Sequence, residues 1–224
     1  MNPGGLYGRL VDAAGDVWRA YTRHEFVLRL ARGDLPEAAF RRYLVQDYLF
    51  LLHFARAWGL AVYKSDSLPE MRRAQSLVAA TLDLEIGLHV EYCRGWGLSE
   101  AEMAAELEAP ETIAYTRFVL DRGVAGDRLD LEVTLAPCMI GYAEIASERI
   151  NDPATRRDGN PYREWLEMYA GAEYQSLARD CAAALDEQFA RRGGEGRFPA
   201  LAASFATATR LEGDFWQMGL NAAR

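Results

Sequence analysis

The stretch EAAFRRYLVQDYLFLLHFARAWGLAVYK, residues 37–64, is long and apolar and has the pattern of a helix rather than a strand. The residues before it, Asp34-Leu-Pro-Glu37, carry the signals of a helix start. Asp is a preferred cap, Pro suits the first turn, and Glu follows three residues after the cap. We therefore predict one long central helix from about Glu37 to Lys64.

The rest of the chain has helical periodicity as well. Apolar residues between Leu6 and Tyr21 recur at spacings of three and four. Ser67-Leu-Pro-Glu70 repeats the cap–Pro–Glu start and predicts a helix to about Trp96, and residues 162–190 are predicted to form another helix. We find no strand pattern, internal repeat or low-complexity tract, and no phosphate-binding loop or nucleophile elbow. Because no Pro/Gly/Ser-rich linker divides the chain, we predict that residues 1–224 form a single all-α domain, a bundle of antiparallel helices around the long one.

Composition narrows the classes of function. The formal net charge is −8, so binding to nucleic acid is disfavoured. No apolar run approaches the length of about 20 residues that spans a bilayer. The segment Met1-Asn-Pro-Gly-Gly5 lacks the pattern of a signal peptide, and the three cysteines form no CxxC pair. These features predict a cytoplasmic protein with reduced thiols.

The segment Leu135-Ala-Pro-Cys-Met-Ile-Gly-Tyr142 is a candidate for chemistry. Cys138 and Tyr142 are four residues apart and share a helix face, on a helix predicted to begin at Asp127 or Asp130. Pro137 suits a first turn, and a thiol near a helix N-terminus lies in a field that favours the thiolate. The alternative is that Cys138 is a small buried hydrophobe.

Two carboxylates occur among aromatic residues. Asp47 shares a face of the long helix with Phe50, and Glu212 is followed by Phe215 and Trp216 on one face of the last helix. Exclusion of water by aromatic rings raises a carboxyl pKa towards the range useful in proton transfer. Exposed positions on the outer faces of these helices are the alternative for both.

Glu85 and His89 are four residues apart, a spacing that suits two metal ligands on one helix face. A structural contact between the two side chains is the favoured alternative. No histidine follows His89, so a second Glu-x-x-His pair of a di-iron bundle cannot come from the C-terminal half.

With these elements placed, the chain resembles the TenA family, the thiaminase II or aminopyrimidine aminohydrolase group, over nearly its whole length. The segments that carry the resemblance are Gln46-Asp47 continuing to His53-Phe54-Ala55, Glu85 with His89, Pro110 with Tyr115-Thr116, Pro137-Cys138 with Tyr142, Tyr169 in Met-Tyr-Ala-Gly, and Glu212 with Phe215-Trp216. The family contains members with and without an active-site cysteine, and this chain resembles the cysteine class. The resemblance implies a fold similar to that of haem oxygenase, no cofactor, and a homotetramer. We expect Trp58 and Trp96 on outer faces, as candidate interface residues.

The resemblance also implies roles for individual residues. Cys138 resembles the nucleophile that adds to a pyrimidine ring, and Glu212 the acid/base that handles ring-nitrogen and amine protons. Asp47 resembles the carboxylate that binds the substrate's amino group. The aromatic residues implied in substrate binding are Phe50, Tyr115, Tyr142 and Tyr169. Better-known members have tyrosine where this chain has Phe50, so one hydroxyl is missing.

The function that the resemblance implies is a hydrolase of thiamine salvage. It would convert 4-amino-5-aminomethyl-2-methylpyrimidine to the hydroxymethylpyrimidine, and thiamine is a second expected substrate. Two alternatives stay open: an oxidase of the same fold, di-iron or cofactor-free as in quinone biosynthesis, and a non-catalytic protein that binds pyrimidines and regulates.

Overall fold

The structure, a computed structural model, describes residues 4–223 and is all-α, as predicted; no strand occurs in that range. Residues 1–3, which begin the segment inspected for a signal peptide, lie outside the described range. The helices are α1 (Leu6–Ala14), α2 (Asp16–Thr22), α3 (Glu25–Arg32), α4 (Glu37–Tyr63), α5 (Leu68–Ala79), α6 (Ile86–Gly95), α7 (Glu100–Ala105), α8 (Pro110–Ala125), α9 (Arg128–Asn151), α10 (Arg163–Ala170), α11 (Ala172–Arg192) and α12 (Phe198–Asn221). A π-helical segment, Ala80–Glu85, joins α5 to α6.

Helix α4 is the predicted central helix, and it packs against α5, α6, α8 and α12. Its start differs from the prediction in one respect. Pro36 precedes the first helical residue, and the carboxylate of Asp34 pairs with Arg29 and Arg32 instead of capping the helix. The tryptophan expected on its outer face, Trp58, is only 3% exposed, so that expectation is wrong; Trp96 is half-buried.

Helix α9 is the second central element, and every residue from Leu131 to Ala143 is buried. It begins at a capping box in which the side chains of Asp127 and Asp130 each accept the other's backbone N–H. Pro137 therefore lies inside the helix, and its expected place in a first turn is wrong. Because proline has no N–H, the carbonyl of Val133 loses its ordinary helical donor at this point.

Three predicted helices are interrupted. The first breaks at Gly15, whose φ of +52° suits glycine, and the predicted helix over 162–190 breaks at Gly171. The predicted helix from Ser67 to Trp96 is helical from Leu68 to Gly95 but contains the π-helical segment, a feature often found at functional sites. Within residues 4–223, no helix is long and apolar enough to cross a membrane.

Candidate active site

The predicted site residues converge in the interior of the bundle. Asp47 comes from α4, Tyr115 from α8, Cys138 from α9 and Glu212 from α12, and each is at most 5% exposed. The exposed positions that we considered for Asp47 and Glu212 are therefore excluded. Burial of two carboxylates and a thiol in one place is costly unless they are hydrogen-bonded, so their partners define the site.

Cys138 and Glu212 form the centre of the site. The thiol donates a hydrogen bond to the Glu212 carboxyl, and the hydroxyl of Tyr115 donates to Glu212 Oε1 over 2.9 Å. Burial raises the pKa of Glu212 well above its usual range, and the hydrogen bond from Tyr115 opposes that rise only in part. The raised pKa favours the protonated form of Glu212 and suits a group that passes protons, as the aromatic residues that follow it predicted.

The electrostatic prediction for Cys138 is wrong. The thiol lies in the middle of α9 rather than at its N-terminus, so no helix end stabilises the thiolate. Burial raises the pKa of Cys138 well above its usual value, and the charges of Glu212, Glu85 and Asp47 raise it further. The resting group is a thiol whose proton is shared with a carboxyl.

Asp47 is held by two donors on one oxygen. Tyr43 donates its hydroxyl hydrogen to Asp47 Oδ2 over 2.9 Å, and His89 Nε2 lies 2.7 Å from the same oxygen. The direction of the first bond follows because a carboxylate oxygen only accepts, and Tyr43 in turn accepts from the indole N–H of Trp165 at 3.1 Å. Asp47 Oδ1 accepts no hydrogen bond from the described residues, which leaves that oxygen for a ligand.

His89 is the residue whose role the sequence interpretation missed. Its Nδ1 lies 2.7 Å from the backbone carbonyl of Glu85, which can only accept, so Nδ1 carries a hydrogen. Its Nε2 faces the carboxylate of Asp47. Burial lowers the pKa of His89, but the hydrogen bond and charge of Asp47 outweigh it and the pKa is raised. We conclude that His89 is an imidazolium paired with Asp47.

Glu85, at the end of the π-helical segment, is a third buried carboxyl beside the site. Tyr174 donates a hydrogen bond to it, and Tyr174 also contacts the sulfur of Met139 at 3.7 Å. Burial, together with the charge of Asp47, raises the pKa of Glu85 to about 7. The spacing predicts that Glu85 and His89 share a helix face. In the structure, His89 Nδ1 lies against the backbone carbonyl of Glu85, and the two side chains have separate partners, Asp47 for His89 and Tyr174 for Glu85. In residues 4–223, no three His, Cys, Asp or Glu side chains are grouped as metal ligands.

Aromatic rings line the site on two sides. On one side, the ring of Phe50 lies 4.8 Å from that of Tyr115 and 5.8 Å from that of Phe215, measured between centroids. On the other, Tyr142 lies 5.0 Å from Tyr169, and both rings are buried. These are the four aromatic residues that the sequence interpretation named, joined by Phe215. Such walls suit a flat heterocycle.

The side of Phe50 also adjoins a cavity. The cavity is small, and its lining residues are Phe50, His53, Phe54, Thr116 and Val119. Phe50 therefore contacts both this cavity and the Tyr115 ring of the site.

The arrangement supports three chemical acts. Cys138 carries a thiol beside a carboxyl that can take up its proton, and the raised pKa of Glu212 suits that carboxyl to pass a proton on. Asp47 is an anion with one oxygen free for a donor. Thiol, acid and anchoring carboxylate enclosed by aromatic walls suit covalent addition to a polar aromatic ring.

Comparison with known proteins identifies the family. A sequence profile of the TENA/THI-4/PQQC family matches residues 11–222. An uncharacterized protein of Haemophilus influenzae is 40% identical over 215 residues, covering 96% of this chain and 99% of that protein. A protein of Halalkalibacterium halodurans named aminopyrimidine aminohydrolase is 34% identical over 213 residues, covering 95% of this chain and 94% of the other.

A solved structure extends the likeness to three dimensions. The crystal structure of a TenA family transcription regulator from Silicibacter sp. TM1040 matches with a TM-score of 0.92 and 42% identity, covering 98% of this chain and 99% of that one. The resemblance that the sequence motifs suggested is thereby confirmed. The chain belongs to the TENA/THI-4/PQQC family.

Proposed function

We propose that this protein hydrolyses 4-amino-5-aminomethyl-2-methylpyrimidine to the corresponding hydroxymethylpyrimidine and ammonia, as a step of thiamine salvage. The observation that carries the proposal is the buried Cys138 thiol hydrogen-bonded to Glu212, with the Asp47–His89 ion pair beside it. The relative from Halalkalibacterium halodurans, named aminopyrimidine aminohydrolase, supports the substrate class.

The residues divide the work of the first step. Asp47 accepts the N–H of the substrate's amino group through its free Oδ1, which orients the ring between the aromatic walls. The sulfur of Cys138 adds to the ring carbon next to the one that bears the aminomethyl group. The π pair of that ring C=N bond moves to nitrogen, and Glu212 passes the thiol proton to it. One C–S bond has formed, one C=N bond is reduced to a single bond, and the proton has moved from sulfur to nitrogen.

The second step uses the electrons that addition has released. The substrate's amino nitrogen is now part of an enamine, and its lone pair expels ammonia from the aminomethyl carbon when the leaving nitrogen is protonated. Water adds to the resulting exocyclic methylene and loses a proton to the departing ammonia, which leaves as ammonium. The C–S bond then breaks, and the proton on the ring nitrogen returns to sulfur through Glu212, which restores the aromatic ring and the thiol. Expulsion of a thiazole in place of ammonia would cleave thiamine by the same sequence of bond changes, and we propose thiamine as the second substrate.

The proposed reaction requires a reduced thiol, and the three cysteines are free in the structure. We therefore place the enzyme in the cytoplasm, where thiols stay reduced. We also propose a homotetramer. Its support within the structure is a set of exposed apolar side chains near the ends of α4 and α8 and the start of α5, namely Tyr63, Val124, Leu68 and Met71. Light scattering on the purified protein tests the assembly, and a monomer would refute it.

The function is tested by product analysis on the two substrates. Wild type, Cys138→Ala and Cys181→Ser are incubated with the aminomethylpyrimidine and with thiamine, and the products are identified by mass. We expect hydroxymethylpyrimidine from wild type and from Cys181→Ser, a matched control on α11, and none from Cys138→Ala. Cys138→Ser should still bind the pyrimidine, and full turnover by that variant would refute covalent catalysis. Binding without turnover by wild type would instead identify a non-catalytic pyrimidine-binding protein.

A further inference from the structure

Glu85 is the one buried carboxyl of the site that the proposed reaction leaves without a task. It is 3% exposed, and its side chain accepts a hydrogen bond from Tyr174. Its backbone carbonyl lies 2.7 Å from Nδ1 of His89, whose Nε2 lies 2.7 Å from Asp47 Oδ2, and the charge of Glu85 raises the pKa of Cys138. Glu85 therefore lies close to the anchoring carboxylate and to the proposed nucleophile. A carboxyl in such a place is costly and calls for a partner.

Glu85 and Glu212 approach Cys138 from different elements. Glu212 is on α12 and is held by Tyr115 of α8, whose ring packs on Phe50. Glu85 is on the π-helical segment and is held by Tyr174 of α11, whose ring packs edge-on against Tyr169 at 4.8 Å. Two carboxyls with separate supports therefore act on the thiol.

The order of groups around the substrate ring shows what Glu85 faces. If Asp47 holds the amino group and Cys138 adds two ring atoms further on, the carbon that bears the aminomethyl group lies between them. Continuing past the carbon that Cys138 attacks, the next atom is the ring nitrogen that Glu212 protonates. The aminomethyl group is thus directed between Asp47 and Cys138. These are two residues whose charges interact with that of Glu85.

We propose that Glu85 binds the substrate's aminomethyl group as an ammonium ion and thereby determines the preference for an amine leaving group; this inference rests on the proposed function. An alkylamine is protonated near neutral pH. An ammonium ion offers three donors, and a carboxylate is its strongest acceptor.

The proposal accounts for the departure of the amine. When the C–N bond of an ammonium group breaks, both electrons go to nitrogen and neutral ammonia leaves, whereas a neutral amine would leave as an unstable amide ion. Glu85 keeps the group in the protonated form until the bond breaks. The hydroxymethyl product carries no charge, so its interaction with Glu85 is weaker and product release is favoured.

The test compares two ligands and two variants. In a Cys138→Ala background, which prevents turnover, the affinities for the aminomethylpyrimidine and the hydroxymethylpyrimidine are measured by calorimetry, with and without Glu85→Gln. We expect Glu85→Gln to weaken binding of the cationic ligand by about tenfold or more and to change binding of the neutral ligand by about twofold at most. Glu91→Gln, an exposed change on α6, serves as the control. Retained binding of the neutral ligand shows that the variant site is folded.

Kinetics on the Cys138-containing protein complete the test. Glu85→Gln should lower kcat/KM for the aminomethylpyrimidine more than for thiamine, whose leaving group has no N–H to donate. If the preference for the cation survives Glu85→Gln, the inference is overturned and the proposed function stands. If wild type prefers the cation but does not hydrolyse it, the proposed function fails and the role of Glu85 in binding stands. If neither pyrimidine binds, both are overturned.

Discussion

Glu85→Gln should stabilise the folded protein at alkaline pH, and the size of the effect follows from the environment of the carboxyl. Gln keeps the shape and the ability to accept the hydrogen bond from Tyr174, but it cannot ionise. In the wild type, Glu85 is buried and has a pKa of about 7, against a usual value of 4.5. The two proteins therefore differ in the titration of one group, Glu85. The pH dependence of the difference between their free energies of unfolding measures that titration.

The sign is fixed by proton binding. Between the two pKa values the folded wild type holds a proton at Glu85 that the unfolded chain has lost, so its stability falls as pH rises through this window. At about 1.4 kcal/mol per pH unit, the interval of about 2.5 units corresponds to about 3 kcal/mol in full. Part of this loss has already occurred by pH 5, so the expected gain of Glu85→Gln over wild type grows by about 2–3 kcal/mol from pH 5 to pH 8.

Urea unfolding at several pH values measures this quantity directly. Both proteins are unfolded at one concentration, followed by tryptophan fluorescence, and their free energies of unfolding are subtracted at each pH. Glu91→Gln on α6, where the side chain is 67% exposed, should show a difference from wild type that hardly changes with pH. A constant difference between wild type and Glu85→Gln across pH 5–8 would refute the reasoning, because it would mean that Glu85 titrates alike in the folded and unfolded chains.

Three further perturbations test other parts of the structure. Burial raises the pKa of all three thiols, so fewer than one thiol per native chain should react with Ellman's reagent within minutes at pH 8. All three thiols should react after denaturation, and fast labelling of the native protein would contradict the reasoning. Tyr115→Phe removes a hydrogen bond that lowers the pKa of Glu212, so the limb of the pH–rate profile due to Glu212 should move to higher pH. Turnover should fall about tenfold. An unmoved limb would show that Tyr115 does not control the titration of Glu212. Gly141→Ala places a Cβ 2.8 Å from a ring carbon of Tyr21 and should cost about 1–3 kcal/mol in urea unfolding, whereas Gly87→Ala, with no atom within 4 Å, should not destabilise.

The fold was accessible from the sequence because its signals are local. The long apolar run of α4 and the cap–Pro–Glu pattern at Ser67 each depend on residues a few positions apart, and both produced helices where predicted. The errors arose where two local signals compete. Pro137 suits a first turn, but the capping box of Asp127 with Asp130 begins the helix earlier, and burial on all sides holds the helix through the proline.

The sequence motifs predicted which residues form the candidate site, but not the direction of the pKa shift of Cys138 or the hydrogen-bond partners of Asp47. The motifs named Cys138, Glu212 and Asp47, and the structure brings them together. The partners of Asp47 come from three elements: Tyr43 lies one turn away on α4, whereas His89 is distant in sequence and Trp165 acts through Tyr43. The contacts made by His89 and Trp165 depend on how helices pack and leave no mark in local spacing, whereas Tyr43 lies within the local spacing of Asp47.

The charges of the resting site explain why the proposed nucleophile, Cys138, is kept as a thiol. Burial and three neighbouring carboxyls hold the proton on Cys138, and the one cation, the imidazolium of His89, is already paired with Asp47. A substrate that enters with an ammonium group adds a positive charge beside Glu85 and cancels part of the repulsion that the thiolate would meet. In the proposed reaction the charge that makes the amine a leaving group therefore also favours the thiolate that expels it, whereas a neutral pyrimidine such as the product leaves the thiol protonated. Reactivity towards an alkylating reagent should then rise when a cationic, non-cleavable aminopyrimidine is bound and stay low with the hydroxymethyl compound, and equal reactivity with both ligands would show that charge does not control the thiol.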